Sequence, residues 1–423
     1  MDVTQGLQSL LAVFLVAALT PLIAAALPGP KIPQVVFFLV GGVIIGPHAL
    51  GVADTGSVQL VADGGLGFLF LLAGYELDPA LFRQRPGRFA MAGWLVSVLL
   101  SLGTVAGLAA SGFVHDYVPI ALALTTTALG TLLPILHDNH MLHGDFGRYV
   151  FAAGAVGELF PIIAIAIFLT QGNHFAALLS VAAVGLLAIA LGTVPFIVRS
   201  ERLRTIIREG QNATGQVMLR WSVVLLFLLL VIAAKFGQDV VLGAMLAGIV
   251  LRTWTRRMGI DVRGLEDKFD AVGYGIFIPV FFVSSGMTLD IGGIAANPLR
   301  VLVFFLLLLV IRGLPSMLIY SKVLPLRQRV EMTFITATAL PLLVALAEIG
   351  LRDGKMLPSN AAALVGAGAL SVLVFPAVAT ALARKDASGQ APDADTDADA
   401  QTDPAALTPQ ARHPIENLLP WHR

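Results

Sequence analysis

TTTALGTLLP occupies residues 125–134 and ITATALPLL occupies residues 335–343. Each lies within an apolar run long enough to cross a bilayer, and each places threonine with glycine or proline in mid-run. Proline deletes an intrahelical hydrogen bond, and threonine hydroxyls can satisfy backbone groups so freed. The pair predicts two helices that break part-way through the membrane and expose peptide dipoles there. Thr127 faces Thr338 across an offset of 211 residues. Two other pairs match that spacing to within one residue. Gly74-x-x-Leu77-Asp78 in LLAGYELDP is matched by Gly286-x-x-Leu289-Asp290 in FVSSGMTLDI, and Arg88 is matched by Arg300, both 212 residues on. The chain reads as one unit used twice.

Composition sets the solvent. Of 423 residues, 57% are hydrophobic and 13% charged, where a soluble chain carries roughly 25% charged. This is an all-α polytopic membrane protein. The formal net charge is zero, so no basic signature for nucleic acid is present. Without cysteine, disulfides and thiolate-held metals are excluded. The first apolar run, Leu7–Leu27, lacks a basic flank and a clear cleavage site, and reads as a retained helix.

Thirteen spans are expected, at about 7–27, 32–51, 57–76, 89–112, 117–136, 148–170, 175–198, 217–236, 239–252, 270–288, 300–321, 330–350 and 360–383. The ninth is short enough to be broken or re-entrant. Loops on the side away from the N-terminus hold 20 Lys and Arg, against 4 on the N-terminal side, namely Lys235, Arg300, Arg352 and Lys355. Positive charge stays in the cytoplasm, so the N-terminus is expected outside and the C-terminus inside. The transmembrane part, residues 1–385, divides into repeat one (about 7–170), a linker helix (about 175–198) and repeat two (about 217–384). Residues 386–423, acidic and rich in Ala and Pro, read as a disordered cytoplasmic tail. Six spans return the chain to its starting side and the linker flips it, so the two six-helix repeats are inverted. Inverted repeats with discontinuous crossing helices are typical of secondary transporters.

Glu158, in VFAAGAVGELFPI (150–162), and Arg312, in LLLLVIRGLPSML (306–318), lie mid-way along the sixth and eleventh spans. A charge near the bilayer centre costs several kcal/mol, about 3 or more by most scales, and marks function by default. A carboxylate there can hold a proton or a dehydrated cation but not both, and a site that crosses only when occupied then exchanges one for the other. Glu158, Thr126, Thr127 and Thr338 are the candidate ion and proton ligands. Arg312 is the charge-balancing group, brought beside Glu158 by inverted packing. Glu348, near the outer end of the twelfth span, is a candidate for the proton path. Asp63 and Glu76 fall at the ends of the third span and read as interfacial. His137, His140 and His143 could sense pH. No metal site, cofactor motif or nucleophile–base constellation stands out, so the chain is not expected to be an enzyme. An alternative function is a proton- or sodium-coupled transporter of a small organic anion, with Arg312 contacting the substrate.

Taken together, residues of about 7–384 resemble the bacterial monovalent cation:proton antiporters of the second cation:proton antiporter family, related to sodium/proton exchangers. The resemblance is carried by IPQVVFFLVGGVIIGP (32–47), GFLFLLAGYELD (67–78), TTTALGTLLPIL (125–136), FIPVFFVSSGMTLD (277–290) and TATALPLLVAL (336–346). It implies exchange of Na+ or K+ for protons across the bacterial inner membrane. It also implies thirteen helices in a core and a dimerisation domain, an elevator motion and a homodimer. The family's ion site is a pair of polar residues on the sixth span. Here the matching positions are Gly157 and Glu158, so the acid is lengthened and its neighbour lost. One acid with an arginine on span eleven resembles the electroneutral, one-for-one members.

Overall fold

The computed structural model describes residues 3–26, 33–138, 141, 144–169, 174–194, 216–258, 262–289 and 291–387. Among these there is no strand. Residues 388–423 of the tail, His140, His143 and Asp290 lie outside the described residues, while the last helix runs on to Ala387. Among the described residues ten helices are long and apolar enough to cross a membrane, and Gln34–Ile45 is a shorter apolar helix.

Two bundles pack side by side. The first holds α1 (Val3–Ala26), α2 (Gln34–Ile45) and α3 (Thr55–Glu76) from the first half of the chain. From the second half it takes α9 (Val217–Lys235), α10 (Val240–Met258), and α11 (Val262–Val272), which runs through a π turn, Gly273–Phe277, into α12 (Ile278–Met287). Helix α3 lies against α10 and α12, and α2 lies against α12. The matched glycine motifs explain these contacts. A Cβ on Gly74 would overlap the Met245 carbonyl, and one on Gly286 would overlap the Leu39 carbonyl. Each motif glycine therefore marks a place where two helix backbones touch.

The second bundle is built from α4 (Arg85–Ala110), α5 (Tyr117–Ala123), α6 (Leu129–Asp138) and α7 (Gly144–Phe168). With them pack α13 (Ile291–Ala296) and α14 (Pro298–Leu307), then a π turn at Leu308–Gly313 leading into α15 (Leu314–Ile319). Helices α16 (Leu326–Ala337), α17 (Pro341–Arg352) and α18 (Pro358–Ala387) complete it. Between the bundles runs α8 (His174–Gly192), in contact with α7 and α10. Burial follows position: α1 and α9 expose rows of large apolar side chains, among them Leu7, Leu11, Leu15, Trp221, Val224 and Phe227, whereas α7 and α17 are largely enclosed.

The ninth span is a continuous helix, neither broken nor re-entrant. It continues to Met258 because Arg252, although charged, is buried usefully: its Nη1 donates to the Tyr75 and Glu76 carbonyls at the end of α3. A cation there satisfies orphan carbonyls and meets the negative end of the α3 dipole. At its other end α3 is capped by Asp54, whose Oδ2 accepts from Ser57 N–H at 2.8 Å and Ser57 Oγ at 2.7 Å. These bonds hold the Asp54 carboxyl below the usual carboxylate range.

Candidate functional site

Both threonine-rich segments break as their sequences predict. Helix α5 ends at Ala123 and α6 begins at Leu129, while α16 ends at Ala337 and α17 begins at Pro341. The two breaks meet. Ala128 N–H donates to the Thr338 carbonyl at 2.9 Å, and the Thr127 hydroxyl donates to the Thr336 carbonyl at 2.6 Å. Each break also leans on a continuous neighbour. Thr127 N–H donates to Gly157 O of α7 at 2.9 Å, and Ala339 N–H donates to Ser371 Oγ of α18 at 3.1 Å. Backbone groups freed by the breaks are thus satisfied by protein, as a non-helical stretch at membrane depth demands.

Glu158 lies on α7 at 5% exposure. Its carboxylate faces the N–H groups of Leu129 and Gly130, the opening residues of α6. Oε2 is buried and makes no hydrogen bond among the described residues. A carboxylate at a helix N-terminus is favoured by the free N–H groups and by the dipole. Glu76 stands within electrostatic reach of it, and so does Tyr274, whose hydroxyl would lie 3.9 Å from a Cβ on Gly130. Tyr274 is also in reach of Asp270. One flank of Glu158 is therefore lined by further acids and a phenol.

Arg312 sits on the π turn between α14 and α15, at 2% exposure. It does not pair with Glu158, and among the described residues no ion pair joins the two. Its Nε donates to Thr127 Oγ1 at 2.8 Å, and its Nη2 donates to the Ala153 carbonyl at 2.9 Å. Gly157 makes this possible. A Cβ there would lie 2.6 Å from Arg312 Nη2 and 2.6 Å from Thr127 Oγ1. The guanidinium and the threonine occupy the space that a side chain at position 157 would take, so the missing member of the polar pair is the condition for the placement of the arginine.

The remaining predicted residues divide. Thr127 is central, accepting from Arg312 and donating to the opposite break. The hydroxyls of Thr126 and Thr338 bond locally, to Ala123 O at 2.8 Å and Phe334 O at 3.0 Å, so Thr338 contributes to the crossing through its carbonyl. Glu348 lies at the far end of α17 among Gln59, Asp63 and Arg352, away from the crossing. Sequence reading missed Thr336, whose hydroxyl reaches Ser316 Oγ at 3.2 Å and the Arg312 carbonyl at 3.3 Å, although its place two residues before Thr338 was the available signal. It also read Glu76 as interfacial only.

Two broken helices crossing against a buried carboxylate define a class, the helical secondary transporters with discontinuous helices. The fold matches that of the sodium proton antiporter MjNhaP1 from Methanocaldococcus jannaschii, with a TM-score of 0.67 over 91% of this chain and 99% of that one, at 17% identity. The chain belongs to the family described as sodium/hydrogen exchanger, transmembrane, which it matches over residues 13–385. Among its relatives is YjbQ of Bacillus subtilis, named as a Na(+)/H(+) antiporter, at 27% identity over 376 residues, 81% of this chain and 57% of that protein. Another is the glutathione-regulated potassium-efflux system protein KefC of Klebsiella pneumoniae, at 28% identity over 418 residues, 90% of this chain and 62% of that protein. The chain spans about three-fifths of the length of these relatives.

Proposed function

We propose that this protein exchanges a monovalent cation, Na+ or K+, for protons, and that Glu158 holds either one in turn. The observation that carries this reading is the Glu158 carboxylate, buried with Oε2 unbonded and facing the start of α6. An ionised carboxylate kept from water without a counterion is too costly to persist, so it takes up a proton or a cation. The Leu129 and Gly130 N–H groups stabilise it while the exchange takes place. Because one group serves both ions, each proton released makes room for one cation. With Gly157 supplying no second acid, exchange is one-for-one and electroneutral. Arg312 is a fixed charge held by Thr127 and Ala153 and not paired with Glu158, which leaves the carboxylate to the proton or the cation. A guanidinium does not deprotonate in proteins, so Arg312 carries no proton.

The crossing moves as part of the second bundle past the first, in an elevator motion, with the chain working as a homodimer in the bacterial inner membrane, N-terminus outside and C-terminus in the cytoplasm. That family membership favours antiport is joined by a local point. Arg312 is already committed to Thr127 and Ala153, which leaves the organic-anion alternative without its anchoring group.

The test uses inverted vesicles from cells lacking their own antiporters, with a fluorescent pH probe. After acidification of the interior, Na+, K+, Li+ or choline is added to wild type and to Glu158→Gln. Na+ or K+ should collapse the gradient in wild type alone. Its apparent KM should rise as the pH falls, with Vmax unchanged, because protons and cations compete. Loss of the response to every inorganic cation in folded wild-type protein would remove the reading.

A further inference from the structure

Away from the crossing, a polar cluster ties the two bundles together at the face where α3 begins. Arg352, the last residue of α17, places Nη2 2.9 Å from Asp63 Oδ1 and 3.1 Å from Glu348 Oε1. Gln59 Nε2 donates to the same two oxygens, at 3.0 Å and 3.1 Å. Ser285 of α12 stands 3.5 Å from Glu348 Oε2. Asp239 and Asp353 are further acids within electrostatic reach. Gln59 with Asp63 and Glu348 with Arg352 are i,i+4 pairs, so each couple projects from one face of its helix.

The location matters more than the strength. Helix α3 belongs to the first bundle and α17 to the second, and α17 starts directly at the second break, beside the site. Any displacement of the second bundle along the first must pull these groups apart. Arg352 and Asp63 remain 44% and 37% exposed, so water can replace the lost partners and separation is cheap. A fully buried pair could not be parted in this way. Glu158 has Glu76 and Tyr274 in reach, and Glu76 ends α3, so the cluster and these groups lie toward opposite ends of that helix.

We infer that Arg352 is a positioning residue, latching the half-helix α17 to α3 and shutting the outer side of the ion site in this conformation. Transport requires the latch to part once per cycle. The inference rests on the antiporter reading above.

A chain without cysteine allows a direct test. Ser285→Cys introduces a single thiol under the latch, at a residue only 7% exposed. Vesicles of either orientation, carrying no ion gradient, are treated with a membrane-impermeant maleimide. Labelling from the Arg352 face should be slow. Arg352→Gln and Asp63→Asn should each speed it roughly fivefold or more, as the outward-open population grows. The double exchange Asp63→Arg with Arg352→Asp should restore the slow rate. Arg352→Gln should also lower the KM for a cation supplied at that face while slowing turnover, a split that mere loss of folded protein would not produce. Equal labelling rates in all backgrounds, with every variant monodisperse, would overturn the inference. So would faster labelling that the double exchange fails to reverse. Because labelling is read without transport, failure of the antiporter reading appears separately, as cation exchange that persists in Glu158→Gln.

Discussion

Adding one methyl group at position 157 should disable the site. In Gly157→Ala the new Cβ would lie 2.6 Å from both Arg312 Nη2 and Thr127 Oγ1, and 2.7 Å from Thr127 Cβ. Neither neighbour can retreat cheaply. Thr127 is held by the Thr336 carbonyl at 2.6 Å, and Arg312 by Ala153 O at 2.9 Å. Overpacking a tight interior costs about 1–3 kcal/mol. Losing a hydrogen bond to a charged group adds about 1.5–3 kcal/mol. The expected destabilisation is therefore about 2.5–6 kcal/mol, with transport abolished. Gly154→Ala is the internal control. Its Cβ would lie 2.6 Å from Leu129 Cδ1, 3.0 Å from Leu129 Cβ and 3.2 Å from Leu129 Cγ, an apolar crowding that removes no hydrogen bond, so it should cost the overpacking alone, about 1–3 kcal/mol. Reversible unfolding in mixed detergent micelles measures both. A cycle with Arg312→Lys, which removes Nη2 but keeps the charge, isolates the contact. If the Gly157 and Arg312 effects add within about 0.5 kcal/mol, the two positions do not interact and the reasoning fails.

Two further outcomes follow from the bonding around the breaks and the α3 cap. Thr127→Val strips the acceptor from Arg312 Nε and should cost about 2–4 kcal/mol with loss of transport. Thr126→Val, whose hydroxyl only bonds back to Ala123, should cost under about 1 kcal/mol; similar losses in the two would refute the division. Asp54→Ala should destabilise the start of α3 by about 1 kcal/mol. Because folding lowers the Asp54 pKa from 3.8, the cap is fully effective above that value and is lost as pH falls through the lowered one. Hydrogen exchange at the Ser57 amide reads this, and protection that ignores both the substitution and acid would contradict it.

The sequence disclosed the two breaks and the buried acid because each rests on residue types whose physics is local. Threonine with proline in an apolar run removes an intrahelical hydrogen bond and offers hydroxyls to the freed groups, which weakens a helix there, although Thr20-Pro21 leaves α1 unbroken. A lone glutamate in such a run costs too much to be kept without a use. The partner of Arg312 was not legible, because it depends on an empty volume above Gly157 that only the packed bundle defines. The π turns at Gly273–Phe277 and Leu308–Gly313 were invisible for a different reason. One extra residue per turn leaves hydropathy unchanged. Arg252 misled the reading of the ninth span, since a hydropathy count penalises a charge that in fact caps the end of α3. Asp63 read as interfacial and Glu348 as a proton-path candidate, and the sequence did not join them because their common partner, Arg352, lies 289 residues along the chain from Asp63.

The hydrogen bond from Ala128 to the Thr338 carbonyl also sets a schedule. The first break is complete only when a residue 210 positions later has been made. At synthesis rates of about 5–20 residues per second, the first half waits roughly 10–40 s in the bilayer with the Ala128 N–H and the Thr127 hydroxyl without their partners. During that interval water, lipid headgroups or the insertion machinery must stand in for the second half. A ribosome stalled between the two breaks would leave a membrane protein with every early helix in place and no site. The crossing thus cannot exist before the second half does, and assembly of the site reports that both halves have arrived.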